Sequence, residues 1–229
     1  MISLCKELPD TDKMSAELLK IKCLFEAYKD DGNVLFWCQD EKSVISLTDG
    51  NMIIYCDGGD TEEIREFVEV INPAAIYSDI KTLKSIGRVP KEEINVMARR
   101  CDLEYETNGD RLSSREIYDL LNVDGLSLPL YPDFAVDYCR RLNMGFAKYF
   151  AIKDKCAVIT FSCGENAIIN GIASHEKGYG EKALLAALNM NFGKTLFVCC
   201  RDKVKGFYEK YNFLPLYKGG YWVKNDGNN

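Results

Sequence analysis

The sequence predicts a mixed α/β fold of the α+β kind, in which a mainly antiparallel central sheet is flanked by helices and preceded by a smaller α/β unit. Three observations carry this expectation. Short β-branched and aromatic runs, separated by turn-forming residues, come in groups of three at 33–56 and 146–174. Helical periods follow each group, and a further short apolar run follows each helix. The pattern restarts near residue 100, which divides the chain into an N-terminal accessory α/β domain, 1–102, and a C-terminal domain, 103–229.

The first element is a helix over Ser15–Tyr28, where Leu18, Leu19, Lys22, Phe25 and Ala27 alternate between apolar and solvated faces until Asp31-Gly32. Asn33–Cys38, Ser43–Leu47 and Asn51–Cys56 then read as strands joined at Asp40-Glu41 and Asp49-Gly50-Asn51. Thr61–Ile71 is a helix with Asp60 or Thr61 as N-cap, Glu62 and Glu63 in its first turn and Pro73 closing it. Ala74–Tyr77 is a strand and Ile80–Ile86 a helix.

In the second half, Leu103–Thr107 reads as a strand, Asn108-Gly109-Asp110 as a turn, and Ser113 or Ser114 as the cap of a helix to Leu121. A helix over Pro132–Leu142 precedes strands at Phe146–Ile152, Cys156–Ser162 and Ala167–Ser174. Gly178-Tyr179-Gly180 opens a helix over Glu181–Phe192, with Leu184, Leu185, Leu188 and Phe192 as its apolar face and Gly193 as its stop. A strand at Leu196–Cys200, a helix at Lys203–Lys210 and a pair of strands over Leu214–Lys224, turned at Gly219-Gly220, complete the chain before a frayed tail at 225–229.

Composition bounds the function. The 229 residues are 47% apolar and 28% charged, an ordinary globular balance. A net charge of −6 and a pI near 5.0 speak against nucleic acid as a partner, because phosphate backbones select basic faces. No apolar run approaches the roughly 18 residues of a membrane span, so no membrane partner is expected. Residues 1–12 carry Lys6, Glu7, Asp10 and Asp12 and no apolar stretch, so the ten cysteines are expected in a reducing, cytoplasmic compartment, most of them as small buried hydrophobes. They form no CxxC pair, and His175 is the single histidine, so no metal site is expected.

One junction has the chemistry of an anion site. Glycine lets backbone approach a phosphate closely, and the free amides of a helix start carry partial positive charge. His175-Glu176-Lys177-Gly178-Tyr179-Gly180 is the one strand-Gly-x-Gly-helix junction in the chain, and Lys177 adds a cation. Downstream stands Arg201-x-x-Val204-x-x-Phe207-Tyr208-Glu209-Lys210-Tyr211-Asn212-Phe213. Together with the order of elements over about 103–225, these two segments resemble the GNAT superfamily of N-acetyltransferases. That family has Arg/Gln-x-x-Gly-x-Gly/Ala at the first segment and Asn-x-x-Ala-x-x-Phe-Tyr-x-x-x-Gly-Phe at the second. Read without gaps, His175 stands at the Arg/Gln position; read with gaps, the loop is shorter than the family's common form and that position is deleted, while Asn212 stands at the glycine, a residue that also tolerates a left-handed backbone.

The resemblance implies acetyl-CoA as co-substrate and direct attack on its carbonyl by an unidentified amine. It places Lys177, Gly178, Tyr179 and Gly180 around the pyrophosphate and the backbone of Ile172, Ala173 and Ser174 along the pantetheine arm and thioester carbonyl. Tyr208 is the implied proton donor to the departing thiolate. For the base, Glu165 at the start of its strand, or Asp133, acting through water, is the candidate. The alternative reading is a degenerate member that binds acyl-CoA or a protein without catalysis. The N-terminal half is either a partial repeat of the same fold, as in tandem members, or an accessory to the acceptor cleft. A homodimer is compatible with either.

Overall fold

The computed structural model describes residues 1–9, 13–102 and 104–224. Two compact units emerge, one of Met1–Met97 with Cys199–Asn229 and one of Ala98–Val198. The first unit opens with β1 (Ile2–Leu4), α1 (Ala16–Tyr28), β2 (Leu35–Gln39), β3 (Ser43–Thr48), β4 (Asn51–Cys56), α2 (Thr61–Ile71), β5 (Ala75–Asp79) and α3 (Ile80–Ser85). The first six residues of β6 (Glu92–Arg100) also belong to it. The second contains α4 (Ser114–Leu121), α5 (Tyr131–Asn143), β7 (Ala147–Ile152), β8 (Cys156–Cys163), β9 (Asn166–Ser174), α6 (Tyr179–Met190) and most of β10 (Thr195–Cys200). α7 (Asp202–Glu209) and β11 (Leu214–Val223) return the chain to the first unit.

In the first unit, strict alternation along β2, β3 and β4 builds two cores on opposite faces of one sheet. Phe36, Val44 and Tyr55 face α1, whose Leu18, Ile21, Leu24 and Phe25 pack on them. Trp37, Ile45 and Ile54 face α2 through Ile64 and Val68. α1 is buried around most of its circumference, Glu17 included, rather than on one stripe, and Ser15 Oγ caps it by accepting from Leu18 N–H. Asp49 and Gly50, both at positive φ, make the two-residue turn between β3 and β4, the hairpin that Asp-Gly favours.

The second unit orders its strands β10-β9-β8-β7. β7, β8 and β9 are antiparallel neighbours, while β10 runs parallel to β9. Ser113 and Glu116 form a reciprocal capping box on α4. Asn191, fully buried, ties the end of α6 to β8 by donating from Nδ2 to Thr160 Oγ1 at 3.1 Å and to Ala187 O at 2.8 Å.

Four expectations change. Leu214–Val223 is one strand, because Gly219 and Gly220 continue the antiparallel ladder opposite Asp79 and Ser78. Their role is close approach, not a turn: a Cβ at Gly220 would lie 2.9 Å from both Leu83 Cδ1 and Pro90 Cβ. The strand expected at Leu103–Thr107 is absent over 104–107, with Leu103 outside the described residues; the strand is β6 instead. α6 ends at Met190, so Phe192 is 52% exposed beyond the apolar face. The unit boundary also differs from 102/103, because β11 is hydrogen-bonded to β5 and so joins the N-terminal residues. The tail 225–229 lies outside the described residues.

Of the cysteines, Cys23, Cys101, Cys156 and Cys200 are buried and the others half-buried. Cys5 and Cys38, with Cα atoms 5.6 Å apart, form a disulfide. Among the described residues, no helix is long and apolar enough to cross a membrane, and no group of three His, Cys, Asp or Glu side chains is placed to hold a metal ion.

Candidate active site

β9 is the backbone of the candidate site. Along one edge it pairs with β8 over its whole length, from Asn166↔Cys163 to Ser174↔Cys156. On the other edge its ladder with β10 covers Asn166–Ile168 against Thr195–Phe197. Among the described residues the ladder with β10 does not continue from Ile169 to Ser174, so the backbone groups that alternation turns to that edge have no strand partner there. A bulge interrupts the ladder on the β8 side. Gly171 sits opposite Ile159 and Ile169 opposite Thr160, which leaves Asn170 as the extra residue of β9. The Ile172, Ala173 and Ser174 stretch follows directly, half-buried, buried and exposed in turn.

The chain leaves β9 through a short loop anchored at both ends. His175 N–H donates to Lys155 O at 2.7 Å, and His175 Nε2 lies 2.9 Å from Leu120 O, which makes it the protonated ring nitrogen. The lone histidine thus pins the loop. Gly178 follows at φ +87° as N-cap of α6, with no side chain capping the helix. Gly180 runs close to β9, where an added Cβ would stand 3.2 Å from Ser174 Oγ. First-turn amides of α6 are therefore left without side-chain acceptors, the state in which a helix start attracts anions.

Cations surround this helix start. Lys155 Nζ donates to the Tyr179 hydroxyl at 2.9 Å, and Lys182 Nζ lies 4.4 Å from the Tyr179 ring centre. Lys177 is exposed on the loop itself. Glu176 opposes them, paired with Lys155 at 3.2 Å. The hydrogen bond to Tyr179, with that to Glu176, holds the Lys155 pKa above the ordinary lysine value, so its charge persists well past neutral pH.

Tyr208 belongs to the other compact unit, on α7. It is 5% exposed and packs edge-on against Phe207 and Phe213, with ring centres at 5.2 and 5.6 Å. Burial, reinforced by Cys200 and Cys199 nearby, raises its pKa well above the usual phenol value. The hydroxyl stays protonated throughout the physiological range. Asn212 takes φ +58°, and Phe213 N–H closes back on Tyr208 O at 3.2 Å, so the left-handed stop expected of Asn212 is present. Cys199 and Cys200 point to opposite sides of β10: Cys199 Sγ is 3.3 Å from the Tyr77 hydroxyl and Cys200 Sγ 3.7 Å from Met97 Sδ.

Ile172 through Gly180 are brought together by chain continuity around one strand-loop-helix junction. Glu165 is not. It lies exposed in the β8–β9 turn, eight strand positions from Ala173, a separation of about 26 Å at the usual rise. Asp133 is exposed in the first turn of α5. Sequence reasoning missed the Asn170 bulge, whose one trace in the sequence is Gly171 inside a strand pattern.

No protein-family model and no curated protein matches the sequence. Solved structures do match in fold. A GCN5-related N-acetyltransferase from Sphaerobacter thermophilus superposes with a TM-score of 0.62 at 11% identity, over 94% of this chain and 87% of its own. A putative acetyltransferase from Pyrococcus horikoshii gives 0.54 at 10% identity, over 90% and 78%. A putative GNAT-family acetyltransferase from Novosphingobium aromaticivorans gives 0.53 at 8% identity, over 92% and 100%. The resemblance seen in two short segments thus extends across both halves, and the chain has the fold of the GNAT N-acetyltransferases.

Proposed function

We propose that the chain is an acetyl-CoA-dependent N-acyltransferase acting on an amine. The observation that carries this reading is the uncapped N-terminus of α6, placed directly after the stretch of β9 whose edge has no ladder partner. A diphosphate fits there: Gly178 and Gly180 remove side-chain bulk, the first-turn amides need acceptors, and Lys155, Lys177 and Lys182 supply charge. The amides and carbonyls of Ile172 and Ser174, which the alternation along β9 turns away from β8 while Ala173 faces it, suit an extended amide-bearing arm, which would add itself to the strand edge. Bound there, acetyl-CoA supplies an activated acyl carbonyl, and an amide of this edge is the group to polarise it.

The resemblance of the Phe207-Tyr208 segment alone assigns Tyr208 as the donor for the departing thiolate. Its raised pKa makes it a weaker acid than an ordinary phenol, so it stabilises the thiolate mainly by donating a hydrogen bond. The acceptor amine, with an intrinsic pKa near 10.4 for a lysine-like group, must be deprotonated before attack. Glu165, at the far end of β9 from Ala173, is not retained for this role.

A second reading, a binding or interaction module without catalysis, is favoured by Glu176, whose carboxylate sits in the loop and occupies Lys155. Thermal unfolding with acetyl-CoA separates protein–ligand binding from its absence. At 100 times its dissociation constant the ligand is expected to stabilise by about 2.7 kcal/mol, or about 5–10 °C. No shift at millimolar acetyl-CoA overturns the acyltransferase reading. A shift without turnover on a broad amine panel supports the module.

A further inference from the structure

The first unit holds a cluster of polar side chains that the reaction above does not use. Glu17 and Lys20 lie one turn apart on α1 and share a face of it. Glu17 is 2% exposed; its Oε2 accepts from the Tyr217 hydroxyl at 2.5 Å, and that hydroxyl accepts from Ala16 N–H at 3.0 Å. Its Oε1 is buried and has no hydrogen-bond partner among the described residues. A carboxylate oxygen left in that state is costly unless a donor arrives.

Lys20 is the opposite pole. Its ammonium stands 4.1 Å from the centre of the Tyr77 ring and 3.4 Å from the Tyr221 hydroxyl, which leaves donor capacity unused. Tyr77 and Tyr221 occupy paired positions of β5 and β11 and stack at 4.8 Å, and the Tyr77 hydroxyl continues to Cys199 Sγ. Each charge is thus held by its own tyrosine. Glu17 and Tyr77 are buried, whereas Lys20, Cys199, Tyr217 and Tyr221 are half-buried, so the cluster runs from the core to side chains that meet solvent.

We propose that this cluster is a recognition site for a small zwitterion, an α-amino acid, whose ammonium donates to Glu17 Oε1 and whose carboxylate accepts from Lys20 and the Tyr221 hydroxyl. The charges decide the class. A simple amine would satisfy Glu17 and leave Lys20 short of an acceptor; a simple carboxylate would do the reverse. A zwitterion satisfies both and brings no net charge into a partly buried place. It also carries its two charged groups on one carbon, which suits a pair of side chains one helical turn apart, about 5–6 Å between Cβ atoms. Only the ligand's role as acyl acceptor rests on the acyltransferase reading; its binding does not.

The test is calorimetry on the full chain without acyl donor, with each of the twenty standard L-amino acids titrated singly. At least one is expected to bind, and the amine lacking its carboxylate and the acid lacking its amine should each bind at least tenfold more weakly. Lys20→Met and Glu17→Gln should each cost about ten- to a hundredfold, the usual loss for a charged hydrogen bond, and Lys20→Arg should restore part of it. Lys20→Met keeps the aliphatic stem, so it decides the matter if Glu17→Gln does not fold. The proposal is overturned if no amino acid binds, if the decarboxylated amine binds equally well, or if folded Lys20→Met binds like the parent. Acetyl-CoA titrated separately keeps the two readings apart. Acetyl-CoA binding without amino-acid binding removes this proposal alone, and the reverse result removes the acyltransferase reading alone.

Discussion

The segments β2–β3–β4–α2–β5 and β7–β8–β9–α6–β10 follow the same order of three antiparallel strands, a helix and a parallel strand. In both, the parallel ladder covers three residues, Asn51–Ile53 with Ala75–Tyr77 and Asn166–Ile168 with Thr195–Phe197. They differ at the helix start. Asp60 caps α2 by accepting from Glu62 N–H at 3.0 Å and Glu63 N–H at 3.3 Å, and Gln39 Oε1 accepts from Asp60 N–H at 2.8 Å. Gly59 packs so tightly that a Cβ would collide with Ser43 Oγ and Gln39 Oε1. α6 has instead Gly178, open space around it, and flanking lysines. One backbone pattern therefore yields a closed helix start and an available one, and side chains at three or four positions decide which.

The largest effect concerns whether the second pattern folds alone. The sequence implies that 103–229 is a complete fold; the ladder from β11 to β5 implies the opposite, since such a fragment keeps β11 and loses the strand that holds Gly219–Val223. The fragment is expected to show no cooperative urea transition. A sigmoidal transition with sharp amide resonances would restore the boundary at 102/103 and make the two patterns independent domains.

Charge at the helix start should separate the two patterns next. Gly180→Asp places a carboxylate at the α6 entrance, where the space beside Ser174 admits its Cβ after a small shift. Acetyl-CoA affinity should fall by about a hundredfold or more, while Asp60→Gly leaves it unchanged. Equal affinity in folded Gly180→Asp, measured by calorimetry, would remove the phosphate from α6.

The helices that follow the parallel strands differ as well. α3, capped by Asp79 through Thr82 N–H, contains no tyrosine, whereas α7 carries Tyr208. With a suitable acceptor, Tyr208→Phe is expected to lower turnover about ten- to a hundredfold, below the full range of general-acid catalysis because a thiolate leaves readily. Acetyl-CoA affinity should barely change. Equal turnover would return Tyr208 to the packing of Phe207 and Phe213.

Most elements were legible because they follow local rules: Asp49-Gly50 fixes a hairpin, Ser113 and Glu116 a capping box, Asp60 a helix start. β6 was not. Buried on both faces, it places Asn95 among Ile94, Val96 and Met97, and only the chain far away explains that residue, through Nδ2 donating to Asp202 Oδ1 at 2.8 Å. Gly219-Gly220 misled for a related reason, since crowding from Leu83 and Pro90 is invisible in sequence. At the candidate site, the Gly178–Gly180 junction was readable as backbone chemistry, but the Asn170 bulge is a matter of register between strands. Glu165 and Ala173 stand at opposite ends of β9, a separation that follows from the strand's length rather than from any local motif.

The smallest effect lies in the closed helix start and tests whether α2 is held by its own acids. Glu63 accepts from Gln39 Nε2 at 2.7 Å and from Ile2 N–H at 2.6 Å, and these bonds, Gln39 first, lower its pKa below the ordinary glutamate value. A carboxyl with a depressed folded-state pKa contributes stability that is fully present above its unfolded value, about 4.3, and is lost as pH falls through the folded value. Unfolding free energy should therefore drop as pH falls below about 4.5. Glu63→Gln should flatten that part of the curve, leaving stability at neutral pH slightly reduced. Asp60→Ala, by contrast, removes a cap and should cost about 1 kcal/mol at neutral pH, most of it independent of Glu63. Parallel pH curves for Glu63→Gln and parent would show that α2 closes through Asp60 and Gln39 alone, and would narrow the difference between the two helix starts to a single capping side chain.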